Sequence, residues 1–102
     1  MKNKVKLNLP AFNFKFKEDK YIFDEFRKKY VILTPEEWVR QNILKYLNEK
    51  LEYPKHLLGV EKQIDVLGTI KRPDIIVFDN KLNAKMIVEC KNTNITINQE
   101  TL

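Results

Sequence analysis

Apolar and polar residues alternate with period two in the first third of the chain, a pattern typical of β-strands with one buried face. The alternation covers residues 5–9, which are followed by Pro10, and residues 12–16. Two further β-rich runs, 21–23 and 30–33, are joined by a polar segment, as in a hairpin with a longer loop. We therefore expect residues 1–33 to form a small antiparallel β-unit.

A helix is predicted directly after this unit, because the next residues suit a helix N-terminus. Thr34 suits the N-cap, Pro35 suits the first helical position, and Glu37 completes a capping box with Thr34. The helical pattern runs to about Lys50 and ends ahead of Pro54.

Two charged residues of this helix fall on its apolar side. At about 100° per residue, one sector collects four aliphatic residues, Val39, Ile43, Leu47 and Leu51. Glu36 and Arg40 lie in the same sector, whereas Glu37 lies at its edge. We expect Glu36 to point toward the core, either for a functional reason or in an ion pair with Arg40 one turn later.

Three more strands are predicted in the second half of the chain, at residues 60–66, 74–78 and 85–91. Short polar turns join them, which favours a meander of neighbouring strands. We expect the Thr-rich residues 93–102 to lead into another helix, and the chain to be a fragment that stops before that helix is complete.

Length and composition limit the kinds of protein this chain can be. Its 102 residues suit one α+β domain, made of the β-unit (1–33) and a core (34–102). No apolar run approaches the ~20 residues that a membrane span needs. The single cysteine, Cys90, excludes an internal disulfide, so we expect a cytoplasmic protein.

The charge is unevenly distributed along the chain. Residues 1–33 contain nine Lys and Arg against four Asp and Glu, so they carry the whole net charge of +5. A basic excess favours a polyanionic partner, although a lysine-rich surface that only confers solubility is the alternative.

Candidate chemistry lies at the last two predicted strands. Residues i and i+2 share a strand face, so Glu89 and Lys91 project together and Cys90 projects the other way. In an antiparallel hairpin, Asp74 at the start of one strand lies beside the end of the next. Two carboxylates and a lysine should therefore meet at one end of the sheet. A surface ion pair is the alternative for an isolated E-x-K pattern.

This trio suits metal-assisted hydrolysis of a phosphodiester. Asp74, Glu89 and the backbone carbonyl of Cys90 offer the hard oxygen ligands that Mg²⁺ prefers. Lys91 would orient the attacking water and stabilise the negative charge that develops in the transition state.

The spacing Pro73-Asp74, fourteen residues, Glu89-Cys90-Lys91 resembles the PD-(D/E)xK nuclease superfamily. The segments 34–41 (TPEEWVRQ) and 71–74 (KRPD) are more closely similar to the N-terminal nuclease-like domain of type I restriction enzyme R subunits, in the stand-alone bacterial form.

That resemblance implies a restriction-endonuclease-like mixed sheet flanked by a helix, and a DNA endonuclease that depends on Mg²⁺ or Mn²⁺. It assigns catalytic roles to Asp74, Glu89 and Lys91, and a further one to a helix glutamate that matches Glu36 or Glu37. The helical wheel favours Glu36. The implied partners are DNA and either other restriction–modification subunits or a second copy of the chain, with no membrane. A non-catalytic module that keeps the fold and binds nucleic acid or protein is the alternative function.

Overall fold

The computed structural model describes residues 9–91 and 94–98, with side chains from residue 9 to residue 90. Its strands are β1 (Phe16–Lys17), β2 (Tyr21–Asp24), β3 (Lys29–Ile32), β4 (Leu58–Val60), β5 (Ile64–Val66), β6 (Thr69–Lys71), β7 (Ile75–Phe78), β8 (Ala84–Lys91) and β9 (Asn94–Asn98). The helix α1 (Pro35–Lys45) continues into a wider π-helical turn (Tyr46–Lys50), and a 3-10 turn (Lys55–Leu57) precedes β4. No helix within the described residues has the length and apolarity that a membrane span requires.

The β-unit is a three-stranded antiparallel sheet in the order β1-β2-β3. The hairpin expected from runs 21–23 and 30–33 is confirmed as β2 and β3. The strand expected at 12–16 is wrong in extent, because only its last residue, Phe16, belongs to β1. Phe14 lies outside the ladder and packs instead against Trp38 of α1, with 5.2 Å between ring centroids. The strand expected at 5–9 falls almost wholly outside the described residues.

Helix α1 begins where the sequence predicted. The Thr34 side chain accepts a hydrogen bond from the N–H of Glu37 at 3.0 Å, and Pro35 occupies the first turn. The regular helix ends at Lys45, and the π-helical turn carries the helical path on to Lys50, the predicted end. The aliphatic side of the helix packs on the main sheet, which creates the core.

The main sheet has the order β4-β7-β8-β9 and presents one face to α1. Ile75 and Val77 of β7 and Met86, Val88 and Cys90 of β8 lie in the core on that face. The α+β class is therefore confirmed. The strand pairings within the described residues are all antiparallel, unlike the mixed sheet that the resemblance implied. The short connections explain this, because parallel neighbours need a crossover of a dozen or more residues.

The single strand predicted over 60–66 is wrong, since the structure divides it between two sheets. β4 pairs with β7, whereas β5 forms a separate hairpin with β6. The break falls at Glu61, whose φ of 52° lies in the left-handed region and interrupts the extended chain. The N–H of Glu61 donates to the carbonyl of Asp74 at 3.1 Å, which fixes the break against the start of β7.

The helix expected within residues 93–102 is also wrong for the part that is described. Residues Asn94–Asn98 form β9, which pairs with β8 from Lys91 opposite Asn94 to Ile87 opposite Asn98. The sequence NITIN alternates polar and β-branched apolar residues, a period-two pattern that favours a strand.

Glu25 ties the β-unit to the rest of the fold. Its carboxylate accepts Nζ of Lys45 at 3.0 Å and Nζ of Lys55 at 3.4 Å, and so joins the β2–β3 turn to α1 and to the 3-10 turn. Partial burial raises the pKa of Glu25, but the hydrogen bond and charge of Lys45 outweigh it, and the pKa falls below its usual 4.5.

We expect the Glu25 contacts to fail on acidification. A lowered pKa in the folded state means that the ionised carboxylate stabilises the fold above pH 4.5, and that this contribution disappears as the pH falls further. The melting temperature of the Glu25→Gln variant, followed by circular dichroism, should therefore fall less steeply than that of the wild type below pH 4.5. Glu18→Gln, in the exposed β1–β2 turn, serves as the control and should follow the wild type. Parallel curves for all three proteins would contradict the prediction.

Candidate active site

Asp74 stands at the start of β7 and is bound from two sides. Its Oδ2 accepts the N–H of Cys90 at 2.7 Å, and its Oδ1 accepts Nη2 of Arg40 at 2.8 Å. The antiparallel register sets Ile75 opposite Val88, so the start of β7 does lie beside the end of β8. The Asp74 side chain is 19% exposed, which leaves it accessible from solvent.

Glu89 and Cys90 use the two faces of β8. Cys90 is 2% exposed and lies in the core, whereas Glu89 is partly buried on the other face. Asp74 lies one residue before the last β7–β8 pair, Ile75 opposite Val88, and Glu89 lies one residue beyond that pair on β8. The N–H and C=O of one strand residue point to the same side, so the Cys90 carbonyl is directed toward β7, as its N–H is.

Lys91 ends β8, where its backbone pairs with Asn94 of β9. Its side chain lies outside the described residues, so its place beside Asp74 and Glu89 stays a prediction.

Burial, and after it the charge of the nearby Asp74 carboxylate, raise the pKa of the Cys90 thiol to about 12. The thiol is therefore protonated at neutral pH, and only thiolates are effective nucleophiles. The chemistry of this site depends on its oxygen groups.

The helix carboxylate that faces the sheet is Glu37, and the expectation of an inward Glu36 is wrong. Glu36 is exposed, whereas Glu37 is 8% exposed. The Glu37 Oε1 accepts Nη2 of Arg27 at 2.8 Å and Nη1 of Arg40 at 3.0 Å. Its Oε2 accepts Nε2 of Gln41 at 3.1 Å, so the carboxylate is directed to these partners and not back to Thr34.

The error has a physical reason. The four aliphatic residues that defined the sector placed the centre of the buried face too close to Glu36, and one of them, Leu51, is in fact 47% exposed. Arg40, Gln41 and Leu44 are buried as well, and they shift the centre of that face toward Glu37. Arg40 is buried as expected, but it pairs with Glu37 and Asp74 instead of Glu36.

Glu37 and Asp74 belong to a larger ion network that the sequence did not reveal. The network places two guanidinium groups between four carboxylates: Arg27 and Arg40 with Asp24, Glu37, Glu61 and Asp74. Four carboxylates against two guanidinium groups leave two negative charges, which favours a cation in their vicinity.

Arg27 is the member of this network that comes from the β-unit. Burial acts to lower the pKa of Arg27, but its hydrogen bonds to Glu37 and Asp24 outweigh that effect and raise it. Arg27 and Glu61 are 34 residues apart in the chain, and both lie in connections between elements, so no periodic pattern could have paired them.

The oxygen groups near Asp74 are of the chemical kind that a magnesium-like ion takes as ligands. Among the side chains of residues 9–90, no three Asp, Glu, His or Cys groups converge on one point. Mg²⁺ does not require three, because it keeps several waters and binds through one or two carboxylates. Each carboxylate oxygen has two lone pairs, so the hydrogen bonds to Asp74 leave acceptor capacity. Asp74, Glu89 and the Cys90 carbonyl supply oxygen ligands of the required kind.

Adjacent glutamates of α1 provide a sharp test of the network. We expect Glu37→Gln to lower the free energy of unfolding by about 3 kcal/mol, because it removes the buried carboxylate charge that both guanidinium groups share. Glu36→Gln should change that energy by no more than about 0.5 kcal/mol, because an exposed carboxylate makes little difference. Urea unfolding followed by circular dichroism measures both. Equal effects of the two substitutions would rule out a special role for Glu37 in stability.

One family's sequence profile matches residues 35–102, which is 68 of the 102 residues. That region contains α1 and the main sheet, and therefore Glu37, Arg40, Asp74 and the β8 residues described above. No curated protein and no solved structure matches the chain significantly. On the extent of the profile match, the chain belongs to the family described as the type I restriction enzyme R protein N terminus.

Proposed function

We propose that the chain is a metal-dependent DNA endonuclease domain of the PD-(D/E)xK type, which hydrolyses phosphodiester bonds. One observation carries the proposal: the Asp74 carboxylate accepts the N–H of Cys90, the residue between Glu89 and Lys91. The first acidic residue of the pattern thus lies against its second half, as the chemistry requires. Membership of a restriction enzyme family supports a role in restriction.

The proposed site consists of three metal-binding oxygen groups and one lysine. Asp74, Glu89 and the Cys90 carbonyl would hold Mg²⁺ or Mn²⁺, which would polarise the phosphoryl oxygen and lower the pKa of a water. Lys91 would orient the attacking water and stabilise the charge that develops on the phosphate.

In this proposal the helix glutamate is Glu37 and not Glu36, and it acts as a positioning residue instead of the catalytic one that the sequence predicted. It holds Arg40 at 3.0 Å, and Arg40 holds Oδ1 of Asp74 at 2.8 Å. Glu37 thereby sets the orientation of the first metal ligand without being a ligand itself.

The partners in this proposal are DNA and either other restriction–modification subunits or a second copy of the chain. The buried free thiol of Cys90 suits the reducing cytoplasm, where we propose that the protein acts.

A second candidate is a fold-retaining module without turnover. Both oxygens of Asp74 are engaged by protein donors, and one of these donors is the cationic Arg40. A metal ion must share the carboxylate with that guanidinium. If it cannot, the chain binds nucleic acid or a protein partner and cleaves nothing.

Metal binding separates the two candidates before any activity is measured. Isothermal titration with Mn²⁺ should show binding to the wild type and to Glu36→Gln, the matched exposed-glutamate control. Asp74→Asn and Glu89→Gln should each bind at least about tenfold more weakly, because second-shell changes alone already cost about that much. Saturating Mn²⁺ should also raise the melting temperature of the wild type. Unchanged affinity in both site variants would place the ion elsewhere.

Cleavage is the second measurement. With Mn²⁺, the wild type should nick supercoiled plasmid DNA, and EDTA should abolish the nicking. Lys91→Ala should reduce the rate by about a hundredfold or more, since a positioned charge in such a site contributes about that much. Lys81→Ala, in the exposed β7–β8 turn, is the control and should cleave normally. Undiminished cleavage by Lys91→Ala would point to contamination or another site, and Mn²⁺ binding without cleavage would favour the second candidate.

A further inference from the structure

One face of the β-unit carries aromatic and basic side chains together. Lys17 lies opposite Tyr21, Tyr21 opposite Ile32, and Phe23 opposite Tyr30. The N–H of Phe23 also donates to the carbonyl of Lys15 at 2.8 Å, which extends the ladder by one pair. Opposed residues share a face. We call this surface the outer face, and it consists of Lys15, Lys17, Tyr21, Phe23, Tyr30 and Ile32.

The outer face is open, whereas the β2 side chains on the other face of the same sheet are buried. Ile22 and Asp24, which alternate with the outer residues of β2, are both 0% exposed. On the outer face, Tyr30 is 41% and Ile32 is 65% exposed. The aromatic rings of Tyr21, Phe23 and Tyr30 therefore lie on the more exposed face of the sheet, outside the hydrophobic core.

The rings and the lysines of the outer face are in direct contact. Phe23 and Tyr30 meet edge to face, with 5.2 Å between their centroids. Nζ of Lys15 lies 5.9 Å from the Phe23 centroid, and Nζ of Lys17 lies 5.6 Å from the Tyr30 centroid. None of the six outer side chains is acidic, so the surface combines apolar ring faces with the positive charges of two lysines.

We propose that the outer face binds single-stranded nucleic acid. Bases would stack on Tyr21, Phe23 and Tyr30, and the lysines would move from the ring faces to the phosphates. A sheet surface with exposed aromatic residues suits unpaired bases, because the faces of paired bases are already stacked within a duplex. Charge complementarity favours this occupant over a second copy of the chain, since the outer face carries Lys15 and Lys17 and no acidic side chain, and a second copy would set these lysines against like charge.

This inference goes beyond the proposed function, because it requires neither a metal ion nor hydrolysis. It is therefore tested in EDTA, where the proposed nuclease is inactive. Fluorescence anisotropy of a labelled oligo-dT, an oligo-rU and a duplex of equal length measures the affinity of the chain for each. We expect both single strands to bind at least about tenfold more tightly than the duplex.

Matched variants assign the binding to the outer face. Tyr30→Ala should weaken oligo-dT binding about tenfold, the loss of one stacked base, whereas Tyr30→Phe keeps the ring and should bind normally. Removing both Lys15 and Lys17 should reduce the slope of log affinity against log salt by about 1.4, at about 0.7 per phosphate contact. Lys81→Ala, away from the outer face, should leave that slope unchanged. Circular dichroism melts confirm that each variant is folded.

Three results would overturn the inference: duplex binding as tight as single-strand binding, full affinity in Tyr30→Ala, or no binding of either single strand. Light scattering that shows a dimer in the wild type and a monomer in Tyr30→Ala would assign the face to self-association instead. Single-strand binding in EDTA without cleavage in Mn²⁺ removes the nuclease proposal and leaves this one standing. Cleavage without a preference for single strands does the reverse.

Discussion

The arrangement of the site depends on one buried carboxylate, that of Glu37. It accepts hydrogen bonds from Arg27 of the β-unit and from Arg40 of its own helix. Arg40 also donates a hydrogen bond to Asp74, at the start of β7. An unpaired charge at this depth costs several kcal/mol. The β-unit, α1 and the main sheet therefore pack stably only in the arrangement that brings these charges together. The position of the helix start relative to the sheet is thus set by charge as well as by aliphatic packing.

A buried ion network is not the arrangement that stability alone would favour at this place. Arg40 is divided between Glu37, Glu61 and Asp74, and its Nε is buried without a hydrogen-bond partner. An unsatisfied buried donor costs about 1–3 kcal/mol, and well-packed apolar residues often replace a buried ion network without loss. A network of this kind is better understood as a means of holding a carboxylate in a fixed orientation near solvent, which is the state of Asp74.

The local elements of this fold were predictable, and the contacts between distant segments were not. The β-rich runs 21–23 and 30–33 identified β2 and β3, and the Thr34-Pro35 start identified α1, because those signals lie within a few residues. The division of the strand predicted at 60–66 was missed, because a left-handed φ at a non-glycine residue, Glu61, has no strong sequence signal. The inward helix glutamate was missed because the buried polar residues Arg40 and Gln41 share the buried face with the aliphatic ones, and a wheel centred on aliphatic residues leaves them out.

Asp74 was predictable as a site residue, but the reason for its fixed position was not. Three elements hold it: α1 through Arg40, β8 through the N–H of Cys90, and the break after β4 through the N–H of Glu61 on its carbonyl. The left-handed turn at Glu61 thus ends β4, anchors the backbone of Asp74 and brings a fourth carboxylate to the two arginines. A side chain held in this way loses little entropy when it takes a ligand. The cost of the cation binding proposed above would then lie in electrostatics, because an ion at Asp74 would share the carboxylate with Arg40, whose guanidinium also pairs with Glu37 and Glu61.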